Sequence, residues 1–110
     1  MNREQIRDGW AATGRVIEAL AGEKDDSPFR AEYEQVCRTA LHDNPWFTRE
    51  SLETAFRAIA TMLDPGKLGI WIERYAPPTL TARRIGIIAA GNIPMAGFHD
   101  ELCVLTAGHH

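Results

Sequence analysis

Cysteine is scarce in this sequence, with two residues, Cys37 and Cys103, among 110. They are far apart and form no CxxC pair, which excludes a disulfide scaffold and a thiolate-rich zinc module. No apolar run approaches the ~20 residues needed to cross a bilayer. The opening stretch MNREQIRDGW is charged and lacks the apolar core of a secretory signal. Charge of one sign is not in excess either. Twelve basic residues face fifteen acidic ones, for a net charge of −3, and Arg83-Arg84 is the only basic pair. That balance offers no positive field to nucleic acid or to an anionic membrane. Repeats and low-complexity segments are also missing. These absences point to a soluble, reduced, cytoplasmic protein with no nucleic-acid partner and no membrane span. The length suits one modest core.

What is present is mostly helical periodicity. Ile6, Trp10, Val16, Ile17 and Leu20 recur at helical spacing from Arg3 to about Ala21, interrupted by Gly9 and Gly14. GEKDDSP reads as a polar loop, with Ser27 as a helix cap and Pro28 as the first helical residue. The next helix carries Phe29, Tyr33, Val36, Cys37, Ala40 and Leu41 on one face, until HDNPWFT breaks it before Pro45. Thr48 is placed to cap a third helix with Glu50 in its first turn. Leu52, Ala55, Phe56, Ile59, Ala60 and Leu63 form its stripe. Phe47, just before the cap, is positioned for a hydrophobic staple, and Trp46-Phe47 reads as an aromatic anchor. Asp64-Pro65-Gly66 reads as a turn, and KLGIWIERY as one more short helix ending near Ala76.

After Pro77-Pro78, a stiff hinge, the pattern changes. RRIGIIAA is a run of apolar β-formers bounded by Gly91, which predicts a strand buried on both faces of a parallel sheet. From Pro94 onward Phe98, Leu102 and Leu105 predict a helix lasting until Gly108. A strand, a tight loop and a helix make half of a βαβ unit. A lone parallel strand has nothing to pair with, so the rest of the sheet is expected beyond residue 110 or in a partner chain. In such folds ligands bind at the loop after the strand. Gly91 allows a turn and a close approach, and a helix N-terminus near Pro94 offers free N–H groups. Asn92 adds a neutral amide donor, the kind of group that holds an oxyanion.

The segment RIGIIAAGNIPMAGFHDELCVLTAGH resembles the acyl-CoA reductase family that includes the fatty acyl-CoA reductase of bacterial bioluminescence, within the aldehyde dehydrogenase superfamily. NPWFTRESLETAFRAIATMLDPGKLGIWIERY is similar to the helical region that precedes it in bacterial members. The likeness covers roughly residues 44 to 109, and GNIP followed by GFHD carries most of it. It implies an α/β protein: an N-terminal helical subdomain, residues 1–78, followed by the first strand, loop and helix of an incomplete Rossmann-like cofactor domain, residues 79–110. It implies NADPH-dependent reduction of acyl-CoA, or another acyl thioester, to an aldehyde. By the same resemblance Asn92 matches the oxyanion-holding asparagine, and Ile88, Ala89, Ala90 and Gly91 match the stretch lying along the nicotinamide cofactor. The family's nucleophilic cysteine lies well downstream in a separate catalytic domain, and neither Cys37 nor Cys103 matches it. The expectation is therefore an N-terminal fragment, inactive alone.

Other readings stand beside this one. A non-enzymatic helical module that binds a partner, or pairs two copies of RIGIIAA into a homo-oligomer, is the alternative function. His99 and Cys103, four residues apart, share a helix face, but a zinc site needs about four ligands, so no metal is assigned. His99-Asp100 is expected to hydrogen-bond at the helix start. Both cysteines are read as small buried hydrophobes, Arg83-Arg84 as solvated charge, and His109-His110 is given no role.

Overall fold

The computed structural model describes residues 1–22, 26–75 and 77–110. The first helix, α1 (Arg3–Ala21), opens on a reciprocal cap. The Asn2 side chain accepts from the Gln5 N–H at 2.9 Å, and the Gln5 side chain accepts from the Asn2 N–H at 3.0 Å. Helix α2 (Arg30–Asp43) starts two residues later than the Ser27-Pro28 signal predicts. Phe29 stands at its cap without a side-chain bond, while Ser27 Oγ accepts from the Phe29 N–H in the preceding turn. Thr48 caps α3 (Arg49–Met62) through the Ser51 N–H, as expected. Asp64-Pro65-Gly66 is no separate turn: Asp64 caps α4 (Pro65–Glu73) by accepting from the Lys67 N–H, with Pro65 in the first position. Part of the GEKDDSP loop lies outside the described residues, and α4 ends at Glu73, short of the expected end near Ala76. A last helix, α5 (Phe98–Thr106), follows.

Two apolar clusters hold these helices together. In the larger, Ile6 of α1 meets Ile59 and Leu63 at the end of α3, Leu68 and Ile72 of α4, and Phe98 and Leu102 of α5. Gly14 lets α1 approach closely, because a Cβ there would stand 2.8 Å from Leu63 Cβ. Trp10 stacks edge-on against Phe98 at 5.9 Å and donates its indole N–H to Thr106 Oγ1 at 3.1 Å, which ties α5 to α1. The smaller cluster joins Leu20, Tyr33, Cys37 and Leu52, and Phe47 packs on it. Trp46 is not part of the anchor, being 81% exposed. On α2 only Tyr33 and Cys37 of the predicted face are buried, and Phe29, Val36 and Leu41 are exposed.

Charge closes the smaller cluster. Arg49 reaches both Glu34 oxygens, at 2.6 and 2.8 Å, and Glu53 at 2.8 Å, while Arg30 and Arg49 lie over the Tyr33 ring. The Arg49 hydrogen bonds hold the Glu34 carboxyl down at about 2. Burial, with the Cys37 thiol beside it, pushes the Tyr33 hydroxyl up to about 12, and that hydroxyl finds no partner among the described residues.

The expected α/β architecture is overturned. Among the described residues the chain forms five helices and no strand. Residues 82 to 90 run without regular structure and are exposed throughout. β-Formers favour an extended backbone, but a strand exists only when a neighbouring chain completes its ladder. Backbone–backbone pairing of this segment, among the described residues, is confined to His110, which donates to the Arg83 carbonyl and accepts from the Ile85 N–H. The final helix also begins at Phe98, four residues after Pro94. No described helix is long and apolar enough to cross a membrane.

Candidate functional site

The predicted site residues sit on a loop that the helical block holds at both ends. At its start the chain is tethered to the C-terminus. The Thr79 N–H donates to the Ala107 carbonyl at 3.0 Å and the Arg83 N–H to His109 Nδ1 at 3.3 Å, beside the His110 pair. His109 and His110, which carry no sequence signal, are thus the anchors of this segment. Gly108 permits the return because its φ is +87° and a Cβ there would stand 2.9 Å from the Thr79 carbonyl oxygen. At its far end Asn44 Nδ2 donates to the Gly91 carbonyl at 3.0 Å. Asn44 is itself held, its Oδ1 accepting from the Trp46 N–H and its carbonyl from the Phe47 N–H. Sequence reasoning missed this role: Asn44 before Pro45 reads only as the end of α2.

Between Gly91 and α5 the chain makes successive turns, closed by Ala96 N–H to the Ile93 carbonyl and Phe98 N–H to the Met95 carbonyl. The left-handed backbone conformation falls on Met95, at φ 60°, not on Gly91, where an added Cβ would meet open space. Such a conformation at a non-glycine residue costs on the order of 1 kcal/mol and is kept by its surroundings. Gly97 supplies the close contact instead. A Cβ there would stand 2.9 Å from Ala89 Cβ, so the start of α5 rests on the extended limb.

The two limbs enclose an open apolar cup of about 580 Å³. Ile85, Ile87 and Ala89 line one side, and Ile93, Met95 and Leu105 the other. Of the expected cofactor stretch, Ala89, Ala90 and Gly91 line the cup, whereas Ile88 points outward and is 102% exposed. Asn92 lies between two lining residues, Gly91 and Ile93, but does not line the cup itself. It is exposed, and its amide bonds to none of the described residues. It also stands six residues before α5, so the expected partnership with a helix N-terminus is not formed.

A nicotinamide needs a flat apolar wall and backbone partners for its carboxamide. Ile88 to Ala90 have such backbone groups, unpaired among the described residues. The phosphates of a dinucleotide need cationic or amide donors, and no basic side chain lies within residues 88–97. A dinucleotide is therefore not held by these residues alone. Burial and the nearby Asp100 carboxylate push the Cys103 thiol up, which disfavours the thiolate. Its sulfur lies 3.8 Å from His99 Nδ1, and among the described residues this contact, not an Asp100 bond, engages His99. No group of three metal-ligating side chains occurs among the described residues.

Comparison with family models, with curated proteins and with solved structures finds no match to this chain.

Proposed function

We propose that this chain belongs to an acyl thioester reductase that converts acyl-CoA to an aldehyde with NADPH, and that the Gly91-Asn92 turn stands at the reacting carbonyl. The observation that supports this reading is the exposed, unpartnered Asn92 amide on a turn pinned by Asn44, beside an apolar cup. An acyl thioester presents the same pair of features, a carbonyl oxygen that becomes negative and an apolar chain. The cup takes the chain, and the Asn92 amide donates to the oxygen as charge develops on it. NADPH supplies the hydride when bound, and its phosphates require donors other than residues 88–97. The nucleophilic cysteine is likewise neither Cys37 nor Cys103, so the 110-residue chain by itself is expected not to turn over. With both cysteines free, the proposed location is the cytoplasm.

The test uses protein translated from the whole reading frame that contains these residues. Acyl-CoA-dependent oxidation of NADPH is expected, and Asn92→Ala should lower kcat about 10²- to 10³-fold, the effect of losing one oxyanion donor. No acyl-CoA-dependent oxidation, or an Asn92→Ala enzyme of full activity, overturns the proposal.

A second reading, a partner-binding or self-associating module, has its own observation. No described residue pairs with the backbone N–H and C=O groups of 86–90, and Ile85, Ile87 and Ile88 are exposed around them. Such an edge invites pairing with another extended chain. Sedimentation of the 110-residue protein distinguishes the two: a concentration-dependent dimer abolished by Ile87→Lys supports association, and a monomer throughout removes it.

A further inference from the structure

A second cavity, of about 500 Å³, lies across the molecule's other edge, between the end of α4, the Pro77–Thr79 stretch and α5. Its walls are apolar and stiff. Trp71 meets Tyr75 edge-on at 5.6 Å and His99 at 6.4 Å, while Ile72, Pro77 and Pro78 complete the surface. Among the described residues no acidic side chain lines it, and one guanidinium does, that of Arg3 from the first turn of α1. Arg3 Nη2 donates to the Tyr75 carbonyl, which fixes the side chain at the cavity wall. Its Nε is shut off from solvent and has no partner among the described residues.

The opposite side of the cavity carries a second polar pair. There the Cys103 sulfur lies 3.8 Å from His99 Nδ1. Thr106 is held from behind by the Trp10 indole, so α5 presents these groups from a fixed frame.

We infer that this cavity binds a small carboxylate with an apolar or aromatic body, its carboxylate on Arg3 and its body against Trp71 and Tyr75. The volume is in the range of small-molecule sites, and a planar guanidinium is the side chain best matched to a carboxylate. The site is separate from the Asn92 turn, and the inference is independent of the proposed reductase.

The test titrates the 110-residue protein with 3-phenylpropionate and follows the Trp71 indole N–H by NMR, with Cys103 alkylation as a second readout. A saturable shift is expected, with Kd on the order of 10⁻⁴ M for a ligand of about eleven heavy atoms. Saturation should slow alkylation of Cys103, the cysteine that lines the cavity. Arg3→Gln should weaken binding about tenfold or more, Arg38→Gln on α2 should leave it unchanged, and the uncharged 3-phenylpropanol should bind wild type about tenfold more weakly. No saturable response overturns the inference, as does equal binding of the alcohol or by Arg3→Gln. Should Arg3→Gln unfold, the acid-against-alcohol comparison on the wild type decides alone.

Discussion

Ile59 and Ile88 carry the same side chain and meet opposite fates, 5% exposed on α3 and 102% exposed on the limb beside the cup. Ile59 shares a buried cluster with Ile6, Leu68 and Phe98, contributed by three other helices. Around Ile88 the chain has a β-forming sequence but no second strand, and it is held by its ends, through His110, Asn44 and Gly97. A helix satisfies its own backbone, whereas a strand depends on another chain segment for half of its hydrogen bonds. The helical block is therefore self-sufficient, and the limb is extended without being a sheet.

The helical block depends most on Leu63, 1% exposed against Gly14. Leu63→Ala should cost roughly 2–5 kcal/mol in denaturant unfolding. A loss below about 1 kcal/mol would mean that the large cluster does not carry the fold. The two glycines of α1 should respond in opposite directions. Gly14→Ala should destabilise by about 1–3 kcal/mol through collision with Leu63. Gly9→Ala, with open space around it, should stabilise by about 0.5–1 kcal/mol. Trp10→Phe retains the ring contact with Phe98 but leaves Thr106 without its indole donor. It should cost about 1 kcal/mol and speed amide exchange in α5 before the other helices.

The smaller cluster should respond to pH at both extremes. Glu34 is held down at about 2 from an ordinary value of 4.5, so its contribution is complete above the ordinary value and is lost as acid takes the pH down through that window. Tyr33 is raised from 10.0 to about 12, so its contribution is complete below 10 and disappears as alkali carries the pH through 12. Glu34→Gln should remove part of the acid slope measured by thermal unfolding and leave the alkaline slope intact. The smallest effect belongs to Ile88→Ser, expected to alter stability by no more than about 0.5 kcal/mol. A larger loss would show that Ile88 is covered in solution and would favour association.

Much of the helical block was legible. The boundaries of α1, the Thr48 cap of α3, and the stripe through Leu52, Ile59 and Leu63 all rest on contacts within a few residues. The errors lie where a distant partner decides. Tyr33 and Cys37 are buried while Val36 and Leu41, on the same predicted face, are not, because α3 covers only one edge of α2. At the candidate site the Gly91-Asn92 turn was legible as a turn. Its anchors were not: Asn44, His110 and Gly97 act across gaps in sequence that no local spacing reveals, and the left-handed residue proved to be Met95.

By itself the sequence determined where most helices form and which residues favour an extended chain, since propensity, capping and period act over one or two turns. Only the tertiary structure decided that the β-forming run stays unpaired, that Gly97 and Asn44 fold it into a cup, and that Arg3 meets Trp71 and Cys103 around a cavity. Those outcomes depend on which distant groups arrive to complete a ladder, fill a gap or accept a hydrogen bond.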